Sequence, residues 1–340
     1  MGREKAGITV RPFDYQRADT VDDALHSFAS TRGVAFLGGG TNLIDLMKSE
    51  VESPSKLVDL SRLPLSTIEK TPAGGLRIGS MARNSDTANH PLVRQNYPLL
   101  SMALLSGASP QLRNMATVGG NLMQRTRCYY FVDPAYPACN KRNPGSGCSA
   151  QKGFNRIHAV LGQSEQCIAT HPSDMCVALL ALDATINVRG TKGERTISMQ
   201  DFHRLPGDTP QIDTNLKPGE VILSVDLPPS KYVPHFHYLK VRDRNSYAFA
   251  LVSVAVGLEL DNQTIRRASV AMGGVAHKPW RCHDAEQILI GASAEKDVFE
   301  RAGRAALSGA KGYEHNSFKI ELGMQAVAHA LNLAATGRTV

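Results

Sequence analysis

Four cysteines share one stretch of the chain, Cys128, Cys139, Cys148 and Cys167, with the spacing C-x10-C-x8-C-x18-C. Thiolates are soft metal ligands, and four of them are enough to hold an iron–sulfur cluster or a tetrahedral zinc ion. No pair has the C-x2-C knuckle of common zinc ribbons. Spacing alone leaves iron–sulfur, zinc, disulfides and inert thiols open. Two of the cysteines sit in turn-forming stretches, Pro137-Ala138-Cys139-Asn140 and Pro144-Gly145-Ser146-Gly147-Cys148, where backbone N–H groups can reach sulfur. The other two cysteines, Cys176 on an apolar helix face and Cys282 at a helix start, read as core residues.

Two glycine loops accompany the thiols. Thr117-Val118-Gly119-Gly120-Asn121 lies just before them, and Leu37-Gly38-Gly39-Gly40-Thr41-Asn42-Leu43 far upstream. Glycine lets a backbone approach a pyrophosphate closely and adopts positive φ cheaply. Exposed N–H groups and a following helix start then bind the anion, with Thr41 and Asn42 as added donors. Neither loop has the spacing of a Rossmann fingerprint or the Gly-Lys-Ser/Thr ending of an NTPase loop. Singly, each is equally a tight turn; together they read as one phosphate-bearing cofactor held from two sides. Neither contains Lys or Arg, which fits a diphosphate held by backbone donors rather than one whose γ-phosphate is transferred. Asp174 either caps a helix or meets a ligand hydroxyl. Lys240-Val241-Arg242-Asp243-Arg244 is a charged strand end, solvated or reaching into a cofactor cleft. His277 and Trp280 read as packing residues after Gly273-Gly274. There is no Ser-His-Asp or Cys-His arrangement and no evident acid–base pair, so a bound cofactor must carry the chemistry.

The elements that would position these residues follow from periodicity and punctuation. Thr20 caps a helix over Val21 to Thr31. Val34 to Leu37 is a strand feeding the first glycine loop, Leu43 to Lys48 a helical turn and Lys56 to Leu60 a strand. Gly75 to Gly79 reads as a strand and Tyr97 to Ser106 as an apolar helix. Ser173 caps Asp174 to Ala181, and strands follow over Ala184 to Val188 and Glu220 to Val225. Pro228-Pro229 marks a domain boundary. Beyond it come strands over Phe249 to Leu260 and Arg267 to Met272, then helices from Cys282, over Asp297 to Ser308 and over Leu322 to Ala335.

With 340 residues, 42% hydrophobic and 20% charged, the composition is that of a globular protein of two or three domains. No apolar run approaches the ~18–20 residues of a membrane span, and Met1 to Gly7 lack the apolar region and twin arginines of an export signal. The net charge of +7 is dispersed and accompanies no nucleic-acid motif, so no nucleic-acid partner is expected. One local excess stands out: Arg125, Arg127, Lys141, Arg142, Lys152 and Arg156 against Asp133, all on the cysteine segment. It reads as a counter-charge to an anionic thiolate centre, a face for an acidic partner, or a solvated loop.

The first glycine loop, the second, Pro172-Ser173-Asp174 and Gly273-Gly274-Val275-Ala276, in this order, resemble the FAD-binding subunit of the xanthine dehydrogenase (molybdenum hydroxylase) family, over roughly Arg11 to Ala335. The branch with the strongest likeness is the FAD subunit of bacterial periplasmic aldehyde oxidoreductases, which carries a four-cysteine insertion after the second glycine loop. Arg127-Cys128, Ala138-Cys139-Asn140-Lys141-Arg142, Pro144 to Cys148 and Gln166-Cys167 through Asp174 look like it. The resemblance implies an α+β chain with a vanillyl-alcohol-oxidase-like (PCMH-type) FAD-binding fold over 8–229. Its two subdomains would be about 8–65 and 66–229, with the cysteine insertion at 125–168. A C-terminal α+β domain of the CO dehydrogenase flavoprotein type would follow over 230–337. It implies that Ala35, Phe36, Leu37, Gly38, Gly39, Gly40, Thr41, Asn42 and Leu43 cradle the FAD diphosphate. Thr117, Gly119, Gly120 and Asn121 would close the other side, Asp174 would bind the ribityl or diphosphate region, and Lys240 would lie near the flavin ring. The four clustered cysteines would ligate a [4Fe–4S] cluster. Partners would be a large molybdenum-cofactor subunit and a small [2Fe–2S] subunit. Electrons from an aldehyde oxidised at molybdenum would pass through [2Fe–2S] centres to FAD and on to an external acceptor. Localisation would be periplasmic, by co-export with a signal-bearing partner, or cytoplasmic. The alternative on the same residues is a stand-alone flavin oxidase of that fold with a structural zinc site.

Overall fold

The computed structural model describes residues 10–337; the expectation about Met1 to Gly7 lies outside them. The chain begins with β1 (Asp14–Arg17), α1 (Val21–Ser30), β2 (Val34–Leu37), α2 (Leu43–Lys48) and β3 (Lys56–Asp59). The strands form a parallel sheet in the order β1-β3-β2, with Val34 opposite Lys56 and Leu37 opposite Asp59. Parallel strands need crossovers, which the two helices supply. Thr20 starts α1 through a reciprocal cap: its Oγ1 accepts the Asp23 N–H at 3.1 Å, and the Asp23 carboxylate accepts the Thr20 N–H at 2.9 Å. Ala24, Leu25, Val58 and Leu63 make the small core of this unit.

The middle of the chain contains β4 (Ile68–Lys70), β5 (Leu76–Gly79), α3 (Asn84–Asn89), α4 (Pro91–Asn96), α5 (Pro98–Ser106), α6 (Pro110–Arg113), α7 (Val118–Leu122), α8 (Tyr129–Val132) and α9 (Asp174–Ala181). It closes with β6 (Thr185–Gly190), β7 (Gly193–Ser198), α10 (Met199–Phe202) and β8 (Val221–Leu227). The five strands form a sheet ordered β4-β5-β8-β6-β7, every neighbour antiparallel. Every residue of α9 is buried, as an apolar helix without a polar face must be. It packs between α5 on one side and the C-terminal strands on the other. Ser173 caps it, its Oγ accepting the Cys176 N–H at 3.1 Å, so Asp174 is released from capping.

The C-terminal part comprises β9 (Phe236–Val241), β10 (Val252–Asp261), β11 (Thr264–Gly273), β12 (Trp280–Arg281), α11 (His283–Leu289), α12 (Lys296–Ala306) and α13 (Phe318–Thr336). Its antiparallel sheet runs β12-β11-β10-β9, with α13 against β9 and β10 and α12 against α13. Val254, Val256, Val270, Phe299, Val327 and Leu331 fill the space between sheet and helices.

The structure differs from the sequence expectations at three places. β9 runs over Phe236–Val241, so the charged strand end read at Lys240 is the last part of a strand that begins four residues earlier. β10 begins at Val252, and the residues before it, with Phe249 half exposed, form a loop. The second glycine loop is a helical turn, because Thr117 Oγ1 accepts the Gly120 N–H at 3.2 Å and starts α7. Among the described residues no helix is long and apolar enough to cross a membrane.

Candidate functional site

The two glycine segments lie against each other. A Cβ on Gly39 would overlap the Met115 carbonyl oxygen, and one on Gly38 would lie 2.8 Å from Thr117 Oγ1. Gly40 has φ of +74°, the left-handed region that glycine enters freely. Gly119 donates its N–H to Ser80 O at 2.7 Å, and a Cβ there would meet that oxygen at 3.1 Å. Side-chain-free backbone is thus required first for the loops to close on each other. Ala35, Phe36 and Leu37 are half-buried along β2, as are Thr41, Asn42 and Leu43 after it. Asn42 Oδ1 accepts the Arg125 N–H at 2.9 Å, which ties the first loop to the cysteine segment. Asn42 Nδ2 and Ser80 Oγ are buried without a partner. Such orphaned groups beside a glycine cradle fit a ligand that brings acceptor oxygens, as a diphosphate does. Asn121 faces the protein: its Oδ1 accepts from Ser173 Oγ at 2.8 Å and joins the second loop to α9.

Asp174 and Lys240 meet across the Pro228-Pro229 junction. Lys240 Nζ lies 2.8 Å from Asp174 Oδ2 and donates to Ser106 O at 3.0 Å. The Tyr238 hydroxyl donates to Asp174 Oδ1 at 2.6 Å. Both charged side chains are under a tenth exposed, 4% and 8%. Burial, reinforced by the carboxylate, holds the Tyr238 phenol well above its ordinary pKa. Arg242 adds a bond to Ser106 O at 3.1 Å. Tyr238 and Lys240 are two apart on β9, so they share one face, and Arg242 follows just past its end. Tyr238 escaped the sequence reading, although that period-two pattern was available.

The four cysteines of the insertion are free thiols around one small enclosed cavity. The hairpin that brings Cys139 opposite Cys148 closes through Asn140 N–H to Gly147 O at 2.7 Å and Ser149 N–H to Ala138 O at 2.9 Å. Gly145 and Gly147 turn it with φ of +85° and +94°. The Asn140 amide then bridges this hairpin to Gln166, donating at 3.0 Å to its backbone carbonyl, and so sets Cys167 beside it. The cavity lining contains no carboxylate and no histidine, a donor set suited to a soft metal centre and not to a hard cation. Burial pushes the Cys128 thiol up to about 12 and the Cys167 thiol up to about 11, so filling the cage with metal must release protons.

Much of the basic excess on this segment is internal architecture, while Lys152 is exposed. Lys141, whose side chain is 1% exposed, pairs with Asp213 and donates to Pro210 O at 2.7 Å. Arg125 pairs with Asp213 at 2.9 Å and with Glu52. Arg142 donates to the carbonyls of Tyr130 and Phe131 at 2.9 and 2.8 Å and pins α8. Arg156 pairs with Asp243 at 2.7 Å. The acidic partners Glu52, Asp213 and Asp243 come from outside the segment, which is why the local sequence shows an unbalanced excess. Cys176 and Cys282 are core residues, 0% and 3% exposed. His277 Nδ1 donates to Arg204 O at 2.8 Å inside the protein, as a packing residue would.

A buried group the sequence did not single out lies under the second glycine segment: the donor atoms of His171, Cys176 and His203 are within 4.8 Å of one another. His203 Nε2 donates to Leu122 O at 2.8 Å, and His171 Nδ1 accepts the Ser173 N–H at 3.3 Å. The second bond leaves the proton on His171 Nε2, the nitrogen without a partner, so these side chains are arranged as polar core and not as three open ligands. Burial keeps both rings neutral, His203 with a pKa lowered to about 4.

Comparison with known proteins agrees with this geometry. The model of the FAD binding domain in molybdopterin dehydrogenase matches residues 11–230, and that of the CO dehydrogenase flavoprotein C-terminal domain matches 237–312. The chain is 50% identical over 324 residues to the aldehyde oxidoreductase FAD-binding subunit PaoB of Escherichia coli (strain K12), covering 95% of this chain and 98% of that one. It is 29% identical to the glyceraldehyde dehydrogenase medium chain of Sulfolobus acidocaldarius, over 84% of each. Its fold superposes on a chain of carbon monoxide dehydrogenase from Hydrogenophaga pseudoflava with a TM-score of 0.76 at 23% identity, covering 97% of this chain and 100% of that one. Two glycine segments closed on each other, a domain match over most of the chain and half-identity along nearly its whole length converge: the chain belongs to the FAD-binding subunits of the xanthine dehydrogenase/molybdenum hydroxylase family, and is a subunit of an oxidoreductase.

Proposed function

We propose that this chain is the FAD- and [4Fe–4S]-containing electron-transfer subunit of a molybdenum-dependent aldehyde oxidoreductase. Its partners are then a large molybdenum-cofactor subunit and a small [2Fe–2S] subunit. Electrons from the [2Fe–2S] subunit leave to an external acceptor, the bound FAD supplying the exchange between one- and two-electron steps. Half-identity to an aldehyde oxidoreductase FAD-binding subunit supports the aldehyde class. Residues 8–229 form the FAD-binding domain and 230–337 the C-terminal flavoprotein domain. Ala35 to Leu43 hold the diphosphate, Thr117, Gly119 and Gly120 close the other side, and Asn121 anchors that segment to Ser173 at the start of α9. The Asp174–Lys240–Tyr238 group keeps a fixed, paired charge where the two domains meet. Cys128, Cys139, Cys148 and Cys167 ligate the cluster.

The observation that carries the metal reading is the donor set: Cys128, Cys139, Cys148 and Cys167 line one cavity with no carboxylate among its lining residues, as a soft metal centre requires. The likeness of this segment to the four-cysteine insertion of aldehyde oxidoreductase FAD subunits supports iron–sulfur over the structural zinc of a stand-alone flavin oxidase. The deciding experiment is an absorption spectrum of anaerobically purified protein with iron and acid-labile sulfide counts. Flavin bands with about four irons and four sulfides per chain are expected. Flavin with about one zinc and no sulfide per chain would establish the alternative. In Cys139→Ser, iron and sulfide fall toward zero because the cage loses one of its four thiolates; unchanged iron would refute the assignment.

A further inference from the structure

We propose that His158 donates its Nε2–H to the Cys128 sulfur and thereby sets the reduction potential of the centre held in the thiol cage; the inference rests on the iron–sulfur reading of that cage. His158 Nε2 lies 3.1 Å from Cys128 Sγ, and the residue is 1% exposed. Among the described residues it is the one side chain within hydrogen-bond distance of a cage sulfur. Cys167 receives the Ala169 backbone N–H at 3.4 Å, and Cys148 faces the backbone N–H groups of Ala150, Ile168 and Gln151. His158 stands in the long spacer between Cys148 and Cys167, where the cysteine pattern does not mark it.

Its position is imposed from the C-terminal domain. Lys319 Nζ, on α13, donates to His158 O at 2.8 Å and also to Gly274 O. Asn316 Nδ2 donates to His158 O and Ala159 O, both at 3.2 Å. The Tyr129 and Tyr130 rings flank the imidazole with centroids at 6.4 and 6.1 Å. The other ring nitrogen, Nδ1, is buried without a partner. A neutral imidazole has one N–H to give, and the sulfur is the acceptor within its reach, so the proton belongs on Nε2. A donor at a ligating sulfur stabilises the more negative, reduced state of the centre and raises its potential. His158 touches the ligand and not the metal, so it is a positioning residue.

The test uses the assembled complex, with iron and sulfide counts and an EPR-monitored redox titration of the cage centre, in wild type, His158→Phe, His158→Leu and His158→Gln. In His158→Phe and His158→Leu the midpoint moves down. At a fixed ambient potential the reduced-to-oxidised ratio falls about tenfold, equivalent to about 59 mV for a one-electron couple. His158→Gln, which keeps an N–H donor of similar reach, recovers most of that shift. Iron retained in His158→Gln but lost from the other two also supports the donor role. A wild-type midpoint in fully loaded His158→Phe or His158→Leu overturns the inference while leaving the cage reading intact. Loss of iron from all three variants makes His158 a folding residue and likewise overturns it. Wild-type protein without iron and sulfide ends the cage reading and this inference together.

Discussion

Gly39 carries the loop-to-loop contact of the cofactor cradle on the absence of a single carbon. A Cβ there would run into the Met115 carbonyl, and backbone cannot yield as a flexible side-chain tip can. Gly39→Ala must therefore part the two glycine segments before any cofactor is involved. Parting them costs more than about 1.4 kcal/mol, so FAD affinity falls by more than about tenfold; the flavin-to-protein ratio after dilution and gel filtration reads the loss. Lys240 raises a different issue. Removing it in Lys240→Met leaves the Asp174 carboxylate buried with Tyr238 as its remaining side-chain partner, a loss on the order of 3 kcal/mol. Urea denaturation measures it. The double variant Lys240→Met/Asp174→Leu is expected to recover much of that stability, because an apolar pair avoids the desolvation of two charges.

At the scale of elements, the insertion between α7 and α9 has little regular hydrogen bonding beyond the short α8 and the Cys139–Cys148 hairpin. Its order comes from buried ion pairs and from side chains bonded to carbonyls, with Asp213 at the centre, facing Lys141, Arg125 and His277. Burial alone would raise the Asp213 pKa; Lys141, Arg125 and His277 overcome it and hold the carboxyl well below the usual carboxylate range. A carboxylate depressed on folding contributes stability that is full above its unfolded value near pH 4, and that contribution is lost as pH falls through the folded value. Asp213→Asn is therefore less stable than wild type by on the order of 3 kcal/mol at pH 7, and the gap narrows as pH is lowered below about 4. Denaturation midpoints of both proteins from pH 7 to pH 2.5 (roughly the span over which a depressed carboxylate titrates) check the sign. A constant gap across that range would refute it.

For the whole molecule, the C-terminal domain closes both sites in the middle of the chain. β9 supplies Lys240 and Tyr238 to Asp174, and Lys319 of α13, with Asn316 just before that helix, reaches the insertion. The FAD cradle and the thiol cage are in turn joined by Arg125, whose N–H meets Asn42 and whose guanidinium meets Asp213. A chain so connected is suited to folding and loading as one body.

Much of this was legible in the residues themselves. The Thr20 cap, the helix Leu43–Lys48, the Ser173 cap and the Gly38 to Gly40 turn all depend on groups within about one helical turn of each other, and such groups lie side by side in the sequence. The cysteine cluster and paired glycine segments were visible for the same reason. Only the charged end of β9 was, because both of its faces are covered: Leu239 and Val241 pack on the C-terminal core while Tyr238 and Lys240 meet Asp174, and burial of a lysine is decided by a carboxylate 66 positions away. The charge on the insertion was misleading in the same way: Lys141 reads as a solvated cation until Asp213, 72 positions on, is folded against it. The convergence of the four thiols on one cavity and the approach of His158 to Cys128 likewise depend on packing from α13 and from Gln166. Sequence thus determined local geometry and the kinds of donor present. Tertiary structure decided their partners and separations, because those follow from chain segments meeting in space.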